Sequence, residues 1–173
     1  MGPLYRGERE KTIPRMIARG LTVDCKSLNL VPQSDATVIS LLDRLRRTMV
    51  LGIGTDIIEC ERIGRMVEKH GEHFVNHVFT EAEVRYCVER RNSDQHFAGR
   101  WAAKEAVLKA LGTGWIGGIT WQDVEVSNEP SGRPIIRLHG GAAEIAKERG
   151  IREIQISISH CQAYAVAFAV AVD

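Results

Sequence analysis

The sequence predicts an α+β fold. Two observations carry that expectation. Residues 49–58, 154–159 and 164–172 alternate side-chain character with a period of two, as strands do. Between them lie stretches with helical spacing, one opened by a capping box at 80–83 and one closed by Gly112. The 173-residue chain is 44% hydrophobic and 26% charged, an ordinary globular composition that points to one domain with a real core and room for an appendage.

The elements follow in order. Residues 1–33 lack sustained periodicity and carry Pro3, Pro14 and Pro32. Ser34 and Asp35 then offer a cap for one short helix with Val38, Leu41, Leu42 and Leu45 on one face. Met49 begins the first clear strand directly afterwards. We therefore expect an N-terminal extension over 1–48 and a domain over 49–173, with Met49 as the natural start. A docking appendage and, less in character given Glu8 and Glu10, a transit peptide are the competing readings of 1–48.

In 49–58, Leu51, Ile53, Thr55 and Ile57 face one way and Gly52, Gly54 and Asp56 the other. A helix is expected over 59–70, with Ile63, Met66 and Val67 inward. Thr80 and Glu83 form the capping box of a helix that buries Val84, Cys87 and Val88. Ser93 or Asp94 caps a long helix running to Leu111. Strands over 123–127 and 134–138 flank a turn at 128–133, and a short helix over 142–149 stops at Gly150. The strand 154–159 turns Ile154, Ile156 and Ile158 inward. In 164–172 large residues alternate with alanine, so the strand is expected to be covered closely on both sides, packed tightly against a helix or another subunit.

Charge and cysteines exclude some classes. The net charge is +1, with nine Lys and Arg against five Asp and Glu in 1–48 and fourteen against seventeen in the rest. An acidic partner must therefore be met by a local patch, and neither a nucleic-acid-binding nor a membrane-binding role is indicated. Cys25, Cys60, Cys87 and Cys161 show no zinc or redox spacing, which fits a reducing compartment. The longest apolar run, Tyr164–Val172, falls short of a span of about 20 residues, and the first residues lack a signal-peptide apolar core. The expected location is cytoplasmic.

Chemistry concentrates in two segments. Gly52-Ile-Gly-Thr-Asp-Ile-Ile58 offers Asp56 at the end of a glycine-bearing strand. The second segment, beginning at Phe97, offers Glu105 among Arg100, Lys104 and Lys109 on the long helix, followed by the Gly112-Thr-Gly114 turn. Two carboxylates from distant segments can share a hard divalent cation, and clustered cations beside a glycine turn can hold phosphates. Each piece has a plainer explanation. Asp56 could cap the next helix, or Gly52 and Gly54 on the same face leave room beside its carboxylate for a ligand or metal. Glu105 and Lys109 could be a surface pair worth about 0.3–0.5 kcal/mol. His160 could be an ordinary turn residue or meet a phosphate. No Walker A sequence, dinucleotide fingerprint or nucleophile elbow is present.

Three motifs in order are more specific: Gly52-x-Gly-x-Asp-Ile57; Phe97-Ala-Gly-Arg-Trp-Ala-Ala-Lys-Glu-Ala106 continuing into Lys109-Ala-Leu-Gly-Thr-Gly114; and Ile156-Ser-Ile-Ser-His160 with Tyr164-Ala-Val-Ala167. From Met49 onward the chain closely resembles the holo-[acyl-carrier-protein] synthase family, the small bacterial type of phosphopantetheinyl transferase. The resemblance implies that family's α+β fold, a small, mostly antiparallel sheet packed with helices. It implies transfer of 4'-phosphopantetheine from coenzyme A to a serine of acyl carrier protein, in fatty acid biosynthesis. By the same resemblance, Asp56 and Glu105 bind Mg²⁺, and Glu105 or a metal-bound water takes the serine proton. Lys104 and Lys109 contact phosphate, Gly112 lies beside the coenzyme, and His160 touches it. Pro134 approaches the adenine from a neighbouring subunit of a homotrimer, and Arg62 meets the acidic carrier, with Arg65 and Arg85 placed to join it. The family pattern has no counterpart for 1–48. The second reading is a non-catalytic coenzyme A or nucleotide-binding module, which has no need of a metal pair.

Overall fold

The chain divides into two units, Met1–Arg46 and Arg47–Asp173. The computed structural model describes residues 48–114 and 118–173. The short helix expected within 34–45 lies outside them.

Strand β1 (Val50–Glu59) leads into helix α1 (Cys60–Val78), α2 (Glu81–Val88) and the long α3 (Ser93–Leu111). A 3₁₀ turn (Trp121–Asp123) precedes β2 (Val124–Asn128) and β3 (Pro134–Leu138); α4 (Gly140–Glu148), β4 (Glu153–His160) and β5 (Tyr164–Val172) complete the domain. The strands form one antiparallel sheet of order β1-β5-β4 and a separate antiparallel β2-β3 hairpin. Helices and small antiparallel sheets together make the expected α+β architecture.

Helix α3 is the spine, with twelve of its nineteen residues buried. Its small residues Ala102, Ala103, Ala106 and Ala110 allow the sheet to approach closely, and Ala165, Ala167, Ala169 and Ala171 of β5 are buried on the facing side. The contact with β1 is closer still. A Cβ on Gly52 would stand 2.0 Å from the Ala110 carbonyl oxygen, and one on Gly54 2.0 Å from the Ala106 carbonyl oxygen. These glycines admit helix backbone. They do not leave the room for a ligand or metal beside Asp56 that the sequence led us to expect. Gly54→Ala is expected to force strand and helix apart and to cost at least about 1–3 kcal/mol, read from urea denaturation. An unchanged midpoint would mean that the seam tolerates displacement.

Several local expectations are altered by packing. Helix α1 does not end at His70. It bends at Gly71 (φ 56°) and resumes, because Phe74, Val75 and Val78 bury another apolar face. Helix α2 has the expected capping box, with Glu83 N–H donating to the Thr80 hydroxyl and Thr80 N–H to the Glu83 carboxylate. Val88, at its end, is 61% exposed and not buried. Asn92 precedes α3 without a side-chain cap, so neither Ser93 nor Asp94 serves that role. Gly112 closes α3 in the left-handed region (φ 69°) as anticipated.

Candidate active site

The β1–α3 seam places the two segments of interest side by side. Lys109 Nζ donates to Asp56 Oδ1 at 2.9 Å and to the Thr55 carbonyl oxygen at 2.9 Å. Asp56 does not cap α1, whose first turn has no side-chain cap. Glu105 lies one helical turn before Lys109, so the Asp56–Lys109 contact brings both carboxylates to one stretch of the seam. Glu105 is half-buried and Lys109 exposed. Among the described residues no group of three or more His, Cys, Asp and Glu side chains converges. A pair of carboxylates is nevertheless a suitable donor set for Mg²⁺, a hard ion that takes oxygen ligands and keeps several waters.

Lys104 requires a correction. Its side chain is 0% exposed, and its ammonium meets Glu83 Oε2 at 2.9 Å, the Trp121 carbonyl oxygen at 2.9 Å and the Val124 carbonyl oxygen. Those three acceptors satisfy all three donors, so no donor remains for a phosphate. Burial pulls the Lys104 pKa down, and Glu83 opposes that. Glu83 in turn accepts the backbone N–H groups of Thr80 and Val126 at 2.8 and 2.9 Å. The adjacent motif letters Lys104 and Glu105 thus part company: one is buried and ties α3 to α2 and β2, and the other is half-buried one turn before Lys109.

His160 and Pro134 line a second feature, a cleft of about 160 Å³ shared with Tyr86, His96, Arg100 and Asn128. Pro134, expected from the resemblance to act on a neighbouring subunit, here borders the cleft of its own chain. It pairs with Asn128, whose side-chain oxygen accepts from Arg100 at 3.0 Å. Arg100 is 4% exposed, and its Nε has no hydrogen-bond partner among the described residues. The Arg90 and Arg100 guanidinium carbons lie 3.2 and 3.6 Å from the Tyr86 ring centroid. The His96 and His160 rings meet edge to face at 5.3 Å. Burial lowers the His96 pKa, and nearby His160, Arg90 and Arg100 lower it further. The cleft is therefore cationic and partly dry, a setting that favours an anion.

Gly112 is exposed beside Arg149, which donates to the Leu111 carbonyl and so supports the end of α3. Arg62 is exposed on the first turn of α1. Arg65 and Arg85 carry exposed ion pairs to Glu61 and Glu81 at 3.9 and 3.5 Å. Sequence reasoning counted Arg100 only as one cation on a helix and gave His96 no role; the two stand one turn apart on α3, and the cleft they share with Asn128, Pro134 and His160 depends on β2, β3 and β4 converging on that helix. A hollow of about 490 Å³ between β3, α4 and β4 is larger but is lined mainly by aliphatic side chains. None of the expected site residues lines it, so size is a poor guide to the chemistry here.

Comparison with known proteins adds independent findings. Residues 52–169 match the model of the 4'-phosphopantetheinyl transferase superfamily. A holo-[acyl-carrier-protein] synthase from Koribacter versatilis is 46% identical over 125 residues, covering 72% of this chain and all of that protein. The crystal structure of holo-[acyl-carrier-protein] synthase from Neisseria meningitidis superposes with a TM-score of 0.66 at 32% identity, covering 71% of this chain and 98% of that one. The Helicobacter pylori enzyme in complex with coenzyme A superposes with a TM-score of 0.61 at 31% identity, over 69% and 98%.

Proposed function

The chain belongs to the 4'-phosphopantetheinyl transferase superfamily, among the holo-[acyl-carrier-protein] synthases, and from that premise we propose how its side chains move 4'-phosphopantetheine from coenzyme A to a serine of acyl carrier protein. The observation that carries the proposal is the β1–α3 seam, where main-chain contact holds Asp56 against the Glu105–Lys109 face.

Asp56 and Glu105 would hold Mg²⁺ at this seam, where it would supply neutralisation of the charge that builds on the departing phosphate. Lys109 lies at the same place and donates to the pyrophosphate oxygens, exchanging some of its contact with Asp56 for them. Glu105 also receives the proton of the incoming serine hydroxyl, directly or through water. Gly112 keeps the end of α3 open beside the coenzyme. The anionic far end of coenzyme A enters the cleft of Arg100, His96 and His160, with Pro134 against the flat base. Arg62, with Arg65 and Arg85, presents positive charge to the acidic carrier, and that attraction weakens with salt over a screening length of about 8–10 Å. A binding module that only senses coenzyme A is the weaker reading, since it leaves the paired carboxylates without a task.

The test is direct. Apo carrier protein incubated with the full chain, coenzyme A and Mg²⁺ should gain the mass of one phosphopantetheine. No gain across a range of metals and pH would overturn the proposal.

The His96 environment gives a second expectation. Its folded pKa lies below the ordinary value of about 6.5, so as pH falls from there the unfolded chain takes up the proton first and stability declines through the folded pKa. A bound anion should raise that pKa. In a histidine NMR titration, adenosine 3',5'-bisphosphate should move the His96 midpoint upward; an unmoved midpoint would place the anionic end elsewhere.

We further propose a homotrimer. Among the described residues the sheet face opposite α3 is apolar and uncovered, with Ile53 63%, Ile57 65%, Tyr164 47% and Phe168 47% exposed. A face of this kind on a small domain fits a subunit interface. Light scattering should give three chains for the full protein, and I53K with F168E should shift it toward one. A monomeric unaltered protein would refute the assembly.

The cytoplasm is the proposed compartment, where the three described thiols, Cys60, Cys87 and Cys161, remain free. No helix among the described residues is long and apolar enough to cross a membrane. We also keep 1–48 as an extension to a transferase domain over 49–173.

A further inference from the structure

Two thiols with no part in the transfer chemistry lie together where α1 begins and β4 turns into β5. Cys60 is the first residue of α1 and 3% exposed. Its N–H donates to the Ala163 carbonyl at 2.9 Å, extending the β1–β5 ladder by one step beyond Glu59 and Tyr164. Its Sγ lies 3.8 Å from the Cys161 carbonyl oxygen. Cys161 is exposed, in the turn closed by its own N–H donating to Tyr164 O at 2.8 Å. The Cys161 sulfur accepts the Tyr164 N–H at 3.4 Å, a contact it must exchange to meet Cys60. Cys161 is thus two residues from the position directly opposite Cys60. The Cys60 sulfur already lies against the Cys161 backbone, so forming a bond requires the Cys161 side chain to leave the Tyr164 N–H and turn toward the start of α1.

The two thiols are chemically unlike. The Tyr164 and Ala163 backbone N–H groups stabilise the Cys161 thiolate and hold its pKa below the usual thiol value. Burial raises the Cys60 pKa, and Cys161 and Asp94 raise it further. Exposed thiolates enter exchange first and protected neighbours follow. Cys87 offers no such pairing. It is 0% exposed, desolvation pushes its pKa up to about 12, and no cysteine is among the groups acting on it.

We propose that Cys161 is a thiol–disulfide exchange site for low-molecular-weight disulfides, with Cys60 as its resolving partner. The Cys161 thiolate attacks one sulfur of a disulfide RSSR, forming Cys161–S–S–R and releasing RS⁻. Cys60 sulfur then attacks the Cys161 sulfur and its proton passes to solvent. The Cys60–Cys161 bond forms, the second RS⁻ leaves, and each RS⁻ takes up a proton. One disulfide is reduced to two thiols as two protein thiols are oxidised. His160, which lines the cationic cleft, is the chain neighbour of Cys161, so the bond would tie that end of β4 to the start of α1.

The reduced full chain, carrying Cys25→Ser to remove the fourth thiol, is exposed to glutathione disulfide, quenched with N-ethylmaleimide and mapped by peptide mass. The expected product is a Cys60–Cys161 cross-linked peptide with no lasting adduct. Cys60→Ser, and Cys60→Ala as a check on packing, should instead trap glutathione on Cys161. Cys161→Ser should slow reaction at Cys60 by at least about tenfold. The proposal fails if Cys161 takes no adduct in any variant. It fails equally if the adduct persists while Cys60 is present, or if Cys60 reacts at an unchanged rate without Cys161.

Discussion

Asp56→Ala is expected to slow carrier modification by about 10²- to 10³-fold while leaving the fold intact. The size follows from what is removed. Losing a residue that only supports a metal ligand costs about 10- to 100-fold, and losing a group that stabilises transition-state charge directly costs about 10²- to 10³-fold. On the proposed function Asp56 belongs with the second kind, because it would anchor the ion at which charge builds. The stability cost should be small. The Asp56–Lys109 pair joins side chains 17% and 49% exposed, and such pairs contribute about 0–1 kcal/mol. Activity is read from the rate of mass gain by apo carrier, and stability from the urea midpoint of the same preparation. Higher Mg²⁺ should recover part of the rate if the ligand alone was lost. Glu105→Ala should show a comparable loss with less recovery, because it also removes a proton acceptor. Near-normal rates in both variants would refute the metal assignment.

Lys104→Met should do the reverse, with stability falling by about 3–5 kcal/mol. Removing one member of a buried ion pair leaves the other as an uncompensated charge, and Glu83 is 1% exposed. Here the ammonium also holds the carbonyls of Trp121 and Val124, which fix the entry into β2. Glu83→Met should be similarly costly, since Glu83 also serves the N–H groups of Thr80 and Val126. The double variant should cost less than the two single losses added together, because neither charge is left unpaired. Urea denaturation of the three proteins yields the coupling directly. Additive losses would mean that the two side chains act independently, and a stable Lys104→Met protein would show that the ammonium bears little weight in the fold.

Much of the fold was legible because it rests on local patterns. Two-residue alternation located β1, β4 and β5, the Thr80–Glu83 box located α2, and Gly112 located the end of α3. The failures have non-local causes. The stretch of α1 past Gly71 exists because Phe74, Val75 and Val78 find a core to enter, and no window around His70 contains that core. Val88 has an apolar side chain at helical spacing, but no described element packs over it. At the site, Asp56, Glu105 and Lys109 were marked as a group by a motif spread across two segments, and the seam brings them together. Lys104 carries the same kind of charge as Lys109 but sits five residues earlier, on the opposite flank of α3 where α2 and β2 close over it. That distinction is set by the neighbours of the helix. The cleft of Arg100, His96 and Pro134 joins α3 to the β2–β3 hairpin; His96 and Arg100 stand one helical turn apart, but no spacing rule connects them to Pro134.

The contact of β1 with α3 also has a consequence for how the protein tolerates change. Gly52, Gly54, Ala106 and Ala110 perform no chemistry, yet they set the interval between the two carboxylates through main-chain atoms alone. A saturation screen for transfer activity would therefore mark four of the plainest residues in the chain as intolerant, beside the charged ones. Aliphatic positions deeper in the core could be exchanged for others of similar volume with far less effect. Inheritance of the activity, in this view, depends as much on side chains that are absent as on those that react.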